Sequence, residues 1–159
     1  MGDAVPDINR GDSLPWQVKD RFRELEVQLA IFGHHLSAHL GMRPVDLQCL
    51  NLVHRHGSIS IGALARQMHL PPPTTTGIVD RLASTGWVAR ERSDGDRRTV
   101  MVRGLADRLP ELFGSLVPLG EELDAALAGL DEDAQQAIAF FLDSATRATS
   151  RATGLLDDS

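Results

Sequence analysis

The sequence predicts a mainly α protein with one small β-hairpin set into it. Apolar residues recur every three or four positions over most of the 159 residues, the mark of amphipathic helices. Strand-like alternation is confined to the stretch "VARERSDGDRRTVMVRG" at 88–104. Glycines and prolines fall between the periodic runs rather than inside them, with few exceptions, and so mark where elements stop.

The elements follow in order. Residues 1–12 are polar and Gly/Asp-rich, which predicts a loose arm. From Ser13 to Leu40 the residues Val18, Phe22, Leu25, Leu29, Phe32 and Leu36 form one stripe. Ser13 suits the N-cap, Pro15 the first turn, and Gly41 the stop. Asp46 to His54 reads as a second helix through Leu47, Leu50, Leu52 and Val53, with Gly57 beyond it. Ser60 is placed to cap a third helix over 61–68, with Leu64, Ala65 and Met68 inward. After the turn His69-Leu70-Pro71, a fourth helix runs from Pro72 to about Thr85 with Ile78, Val79 and Leu82 inward, and Gly86 ends it. Val88–Arg92 and Thr99–Arg103 alternate as strands, closed by "SDGDR" with Gly95 free to take positive φ. Leu105 to Leu127 returns to helix, delayed or bent by Pro110 and Pro118. Asp131 caps a last helix through about Thr153, with Glu132 and Asp133 complementing its dipole.

Two short helices joined by a three-residue turn and followed by a hairpin make a winged helix-turn-helix over 46–104. The helical segments 13–45 and 105–159 carry more apolar surface than one small lobe covers, so we expect them to pair two copies of the chain.

Composition narrows the function classes. One cysteine, Cys49, excludes an internal disulfide and any zinc site built on cysteines. The first residues contain no apolar leader segment, and no run approaches the ~18 apolar residues of a membrane span, so we expect a cytoplasmic protein. A single lysine among 16 basic residues and high Ala/Gly lean bacterial. The net charge of −6 is uneven. Residues 1–54 carry five basic and seven acidic groups, residues 55–103 eight and four, and residues 104–159 three and eleven. A basic middle between acidic ends fits a chain that meets phosphate with its middle only. Nothing resembles a nucleophile with its base or a Gly-rich phosphate loop, so neither an enzyme nor a cofactor is expected.

The chemistry-bearing residues lie in that basic middle. Thr74, Thr75, Thr76 and Gly77 stand near the start of the second helix of the helix-turn-helix, the one suited to a major groove. The hydroxyls can donate to phosphates or base edges, and Gly77 permits close approach. Three prolines remove backbone donors from the same end. Arg81, a turn on, is within reach of phosphate. At the hairpin tip Arg97 and Arg98 suit an A·T-narrowed minor groove, with Asp96 placed to pin the guanidinium of Arg98. An ordinary solvated hairpin with a surface ion pair, worth roughly 0–1 kcal/mol, is the bland reading of the tip; its position directly after a helix-turn-helix favours DNA.

With these residues in view, the chain resembles the MarR family of bacterial transcriptional regulators. The likeness is densest over 46–103, in "LARQM", "TTTGIVDRLASTGWVAR" and "DGDRRTVMV". The resemblance implies an obligate homodimer built from the first and last helices, double-stranded DNA as partner, and a pseudo-palindromic operator held by two winged lobes. By position, Arg98 with Asp96 matches the wing arginine of the family, and Thr76, Gly77 and Arg81 fall on the recognition helix. Two positions depart from the pattern: Gly77 stands where members often carry arginine, and Pro71 replaces the usual capping Ser or Thr. The family also implies a small aromatic or phenolic effector in the crevice between dimer helices and winged lobe, shifting the population of DNA-competent states and lowering operator affinity.

His35 and His39 share a helix face and are the candidates to hydrogen-bond such an effector. With His34 nearby they also suit a metal, for which His54, His56 or Asp46 would supply the third ligand; solvated histidines are the bland alternative. Cys49 sits mid-helix among leucines, where a thiol is inert rather than a peroxide sensor. A winged helix serving as a protein-interaction module without DNA readout is the competing class.

Overall fold

The computed structural model describes residues 13–92 and 99–157. The chain divides into two compact units, residues 1–44 and 45–159, each of which is described by itself. The expected arm over 1–12 and the wing-tip residues 93–98 lie outside the described residues.

In the first unit α1 spans Leu14–His39. Ser13 takes the extended N-cap conformation, Pro15 sits in the first turn, and the backbone oxygen of Ser13 accepts from the N–H groups of Trp16 and Gln17. The helix ends where expected: Gly41 adopts φ +68°, which lets Met42 N–H close back on the Ser37 oxygen at 2.9 Å. Leu36, Ser37 and Leu40 are buried. Along the rest of α1, Leu14, Trp16, Val18, Leu25, Val27, Leu29 and Ile31 are exposed.

α2, Pro44–His56, belongs to the second unit from Val45 on. It starts two residues ahead of the predicted Asp46 because Pro44 is already suited to a first helical position. Next comes a strand that the sequence reading did not foresee, β1 (Ser58–Ser60). It leads directly into α3, Ile61–Met68, with Ser60 Oγ accepting from Ala63 N–H at 3.2 Å as predicted. The last residues of α3 close through His69, which holds φ +52° and is the one non-glycine with positive φ among the described residues. Then follows α4, Pro72–Ser84. Gly86 at φ +76° reverses the chain, with Trp87 N–H donating to Leu82 O at 2.9 Å and Gly86 N–H to Ala83 O at 3.1 Å, a two-bond closure that needs a left-handed residue.

β2 (Val88–Arg92) and β3 (Val100–Gly104) are antiparallel and pair Arg90 with Val102. The sheet has three strands in the order β1-β3-β2, and Ile59 stands opposite Val102 on the other edge of β3. The core of this unit lies where α2, α3, α4 and the sheet contribute Leu50, Val53, Leu64, Ile78, Val79, Leu82, Val88 and Val102, all within 2 % of full burial. Burying such a side chain contributes roughly 1.5–3 kcal/mol. Met68, predicted inward, is only half-buried.

A 3-10 turn at Ala106–Arg108 delays the next helix, α5, to Leu109–Ala128, so that Pro110 falls in its first turn. The last helix, α6, spans Glu132–Asp157, longer than the predicted end near Thr153. Asp131 caps it, its Oδ1 accepting from Ala134 N–H at 2.8 Å. Phe113, Val117, Leu123, Leu127, Ile138, Phe140 and Leu142 are exposed on these two helices.

Candidate nucleic-acid interface

The N-terminal end of α4 is built from Pro71, Pro72 and Pro73. A helix start normally leaves four N–H groups without intrahelical partners; with Pro71 at the N-cap, only Thr74 retains one. The phosphate-binding capacity of this helix end is therefore a single backbone donor plus whatever side chains face out.

The three threonines turn out to be unequal. Thr74 is exposed, and among the described residues its hydroxyl has no protein partner, so it is open to a ligand. Thr75 is fully buried, and its Oγ1 donates to Pro71 O at 3.3 Å. That corrects the expectation that all three hydroxyls face a groove. The signal was in the spacing: Thr75 lies three and four positions before Ile78 and Val79, on the helix face that packs inward. Thr76 is half-exposed, with Oγ1 donating to Pro72 O at 2.9 Å; its lone pairs remain for a donor. Gly77 is partly exposed, and a Cβ there would meet only the Nη1 of Arg81, at 3.9 Å. Neither packing nor backbone conformation within the chain demands a glycine at this position.

Arg81 is not a free cation. Its Nη2 donates to Asp46 Oδ1 at 2.7 Å and its Nε to Asp46 Oδ2 at 3.3 Å, a two-point pair between α4 and the first turn of α2. The Asp46 side chain is 5 % exposed and that of Arg81 40 %. The hydrogen bond from Asp46 raises the Arg81 pKa further above its ordinary value, so the guanidinium stays charged. The sequence expectation that Arg81 reaches for phosphate has to be narrowed, because two of its donors are spent on fixing the attitude of α4.

A second clamp was missed by the sequence reading. Arg90 of β2 donates to Thr76 O at 3.3 Å and pairs with Asp80 at 2.8 Å, joining the wing to the outward face of α4. No sequence signal marks it, since the pairing depends on how the hairpin folds back over the helix. The stem of the wing is held by Arg103, whose Nε and Nη2 both donate to Glu91 Oε1, at 2.9 and 2.8 Å. Arg92, the last described residue before the tip, is exposed and carries no ion pair among the described residues. Asp96, Arg97 and Arg98 fall outside the described residues.

At the far end of α4, Arg108 donates to Thr85 O at 2.9 Å, forms a bidentate pair with Glu111, and lies 3.9 Å from the centroid of the Trp87 ring. The helix is thus tied at both ends and along its outer edge.

Of the expected sensing residues, His35 and His39 belong to the first unit. Both are exposed on α1, and the rings of His34 and His35 meet edge-to-face at 5.8 Å. Among the described residues no three His, Cys, Asp or Glu side chains cluster as a metal site. The third-ligand candidates are engaged otherwise: Asp46 holds Arg81, His56 bonds Gln67 at 3.0–3.1 Å, and His54 packs against Phe113 with ring centroids 6.2 Å apart. Burial lowers the His54 pKa. Cys49 is fully buried; burial, helped by the Asp46 carboxylate, pushes its thiol up to about 11, so it is protonated at neutral pH.

Comparison with known proteins gives a consistent picture. Residues 43–100 match the model of the MarR family. YcgE of Bacillus subtilis, named an HTH-type transcriptional regulator, is 31% identical over 100 residues, which is 63% of this chain and 65% of that protein. The chain therefore covers slightly less than two thirds of this relative's length. MdtR, an HTH-type transcriptional repressor of the same organism, is 32% identical over 60 residues, 38% of this chain and 39% of that protein. Among solved structures, a mutant MepR from a multidrug-resistant clinical isolate of S. aureus superposes with a TM-score of 0.71 at 11% identity, covering 83% of this chain and 96% of that one, a likeness of fold. No helix among the described residues is long and apolar enough to cross a membrane.

Proposed function

We propose that the chain, whose residues 43–100 match the model of the MarR family, is a DNA-binding transcriptional regulator of that family, a repressor that holds a pseudo-palindromic operator as a homodimer and loses affinity when a small effector binds. The observation that carries this reading is the match of residues 43–100 to the family model over the segment that contains α2, β1, α3, α4 and β2. Thr74, Thr76 and Gly77 supply the outward face of α4, Arg97 and Arg98 with Asp96 the wing tip, and Arg81 and Arg90 the fixed attitude of the helix. The repressor sign is supported by the name of MdtR.

Homodimerisation is supported by the exposed apolar side chains of α1, α5 and α6, more than a monomer ordinarily leaves to water. Two half-sites one helical turn apart, ~34 Å, require two recognition helices at fixed spacing. The effector is a small aromatic or phenolic molecule, with His35 and His39 as its hydrogen-bonding candidates.

Fluorescence-anisotropy titration against the gene's own upstream DNA and a scrambled duplex, across salt, tests the reading. Tight, sequence-dependent binding with a steep salt slope, weakened in Arg98→Ala, is expected. Equal weak binding to the upstream duplex and to a genome-wide selected pool, indifferent to Arg98→Ala, would replace it with an interaction module that does not read DNA.

A further inference from the structure

The inward side of α4 is made by Thr75, Ile78, Val79 and Leu82. At 3.6 residues per turn, the line opposite them runs through Pro73, Gly77, Asp80 and Ser84. Pro73, Asp80 and Ser84 are exposed and Gly77 partly so, with Thr74 and Thr76 on the flanks. The chemistry of this line is spare. Pro73 and Gly77 carry no polar side-chain group, and Ser84 Oγ donates to Arg81 O at 2.8 Å. Asp80 supplies the one charge, a carboxylate in the middle of the face that the regulator reading turns toward a polyanion. Such a group is repelled by phosphate unless a cation neutralises it and a donor meets it.

The fold supplies the cation. Arg90 of β2 pairs with Asp80 Oδ1 at 2.8 Å, and its Nη2 also donates to Thr76 O at 3.3 Å. The guanidinium is thus tied to the helix backbone as well as to the side chain, so it aims the carboxylate while neutralising it. With the side chains of Asp80 and Arg90 58 % and 34 % exposed, solvent screens the pair and its contribution to stability is small. An ionised carboxylate accepts at four lone-pair sites, of which this pair uses one. We propose that Asp80 reads a base, its carboxylate accepting from the N4 amino group of a cytosine in the major groove, with Arg90 as the positioning residue. This role deepens the regulator reading and rests on it. In that groove guanine and thymine present no donor. Adenine sets its N7 acceptor beside the N6 donor, where it opposes a carboxylate, whereas cytosine offers its amino group alone. Aspartate is short and touches a base edge only if the helix backbone comes close. Gly77, one turn before on the same line, has no side chain to hold the helix off, and a Cβ there would meet only Arg81 Nη1 at 3.9 Å. Close approach to a base gives that glycine a use that packing within the chain does not.

Selection from a randomised duplex pool with the full chain gives the operator. Anisotropy competition with every single base-pair substitution in one half-site then gives the base preferences. The expected result is a position at which C·G is preferred over the other three pairs by about 5- to 150-fold. Asp80→Ala should flatten that position to within about twofold and leave the other positions as they were. The isosteric Asp80→Asn should turn the preference there from C·G to A·T, since an amide meets adenine N6 and N7 together. Arg90→Gln should narrow the C·G preference at the same position by releasing the carboxylate. A clamp with a merely structural role would, when lost, lower affinity for every duplex by the same factor and change no preference. That outcome, or base preferences unaltered in both Asp80 variants, overturns the proposal and leaves the regulator reading standing. A C·G preference undiminished in Arg90→Gln overturns the positioning role. If the wild type selects no sequence from the pool, the regulator reading falls, and the assignment of Asp80 with it.

Discussion

Replacing Arg81 with methionine should destabilise the protein more than replacing its partner Asp46 with asparagine, although each removes the same ion pair. The pair has Nη2–Oδ1 and Nε–Oδ2 distances of 2.7 and 3.3 Å. At an effective dielectric constant of ~20, charges ~4 Å apart attract by about 4 kcal/mol before desolvation is subtracted. Exposed pairs retain roughly 0.2–1 kcal/mol of this, while breaking a fully buried pair costs roughly 3–5 kcal/mol. Here one side chain is 5 % exposed and the other 40 %, so solvent screens the arginine end and the net lies between, at about 2 kcal/mol for Arg81→Met. That variant takes the guanidinium away from a buried carboxylate. Asp46→Asn leaves a guanidinium that already reaches water, and should lose about 1 kcal/mol, part of it from the helix-dipole preference for a carboxylate in the first turn of α2. Urea denaturation at one fixed protein concentration measures both, fixed because the apparent stability of the proposed dimer would depend on it. The accompanying Tm drop for Arg81→Met should be about 4–8 °C in a chain of this size. The double variant should fall short of the sum by about 1–2 kcal/mol. If Arg81→Met lies within ~0.5 kcal/mol of wild type, or if Asp46→Asn is the worse of the two, the pair does not anchor α4 and the reasoning fails. Should Arg81 also touch a phosphate, the salt slope of DNA binding would fall by about 1 in the methionine variant.

Gly77→Ala should raise thermal stability, by up to about 1 kcal/mol, since no neighbour obstructs a Cβ there and alanine is the better helix former. It should weaken operator binding if α4 lies close in the groove; a variant both more stable and equally tight would remove Gly77 from the interface. Gly104→Ala would bring a Cβ within 2.5 Å of His54 Cε1 and should cost about 1–3 kcal/mol by forcing the ring away from Phe113. The loss should shrink markedly in a His54→Ala background, and persistence of the full loss there would mean the clash lies elsewhere. Burial lowers the His54 pKa, so the unfolded chain binds the extra proton: the contribution of a neutral His54 is complete above the unfolded imidazole value of ~6.5 and is lost as pH falls from there toward the folded value. Between pH 7.5 and 5.5 the melting temperature should therefore drop less in His54→Gln than in wild type, and an unchanged difference would refute this. Cys49, with its thiol raised to about 11 and no exposed surface, should not react with Ellman's reagent until the protein is unfolded; rapid native labelling or peroxide-sensitive DNA binding would reopen the redox reading.

Much of the fold was legible because its signals are local. The order of helices, the start of α3 at Ser60, the stop of α4 at Gly86 and the delay of α5 by Pro110 follow from capping chemistry and from what glycine and proline do to a backbone. β1 was not legible: three residues carry too little periodicity, and what makes them a strand is β3, more than forty residues away in sequence from Ser58 at its register partner Arg103. The candidate interface divides the same way. The inward face of Thr75 could have been read from its spacing to Ile78 and Val79. That Arg81 is committed to Asp46 could not, for the partners are 35 residues apart.

The sequence by itself determined the winged helix-turn-helix, the basic middle between acidic ends and the place of α4, since periodicity, caps and charge depend on neighbours within a turn or two. Tertiary structure decided which of three adjacent threonines faces out and which arginines are anchors. Those outcomes depend on long-range pairing and on how far each charge is withdrawn from water, and only packing sets either quantity.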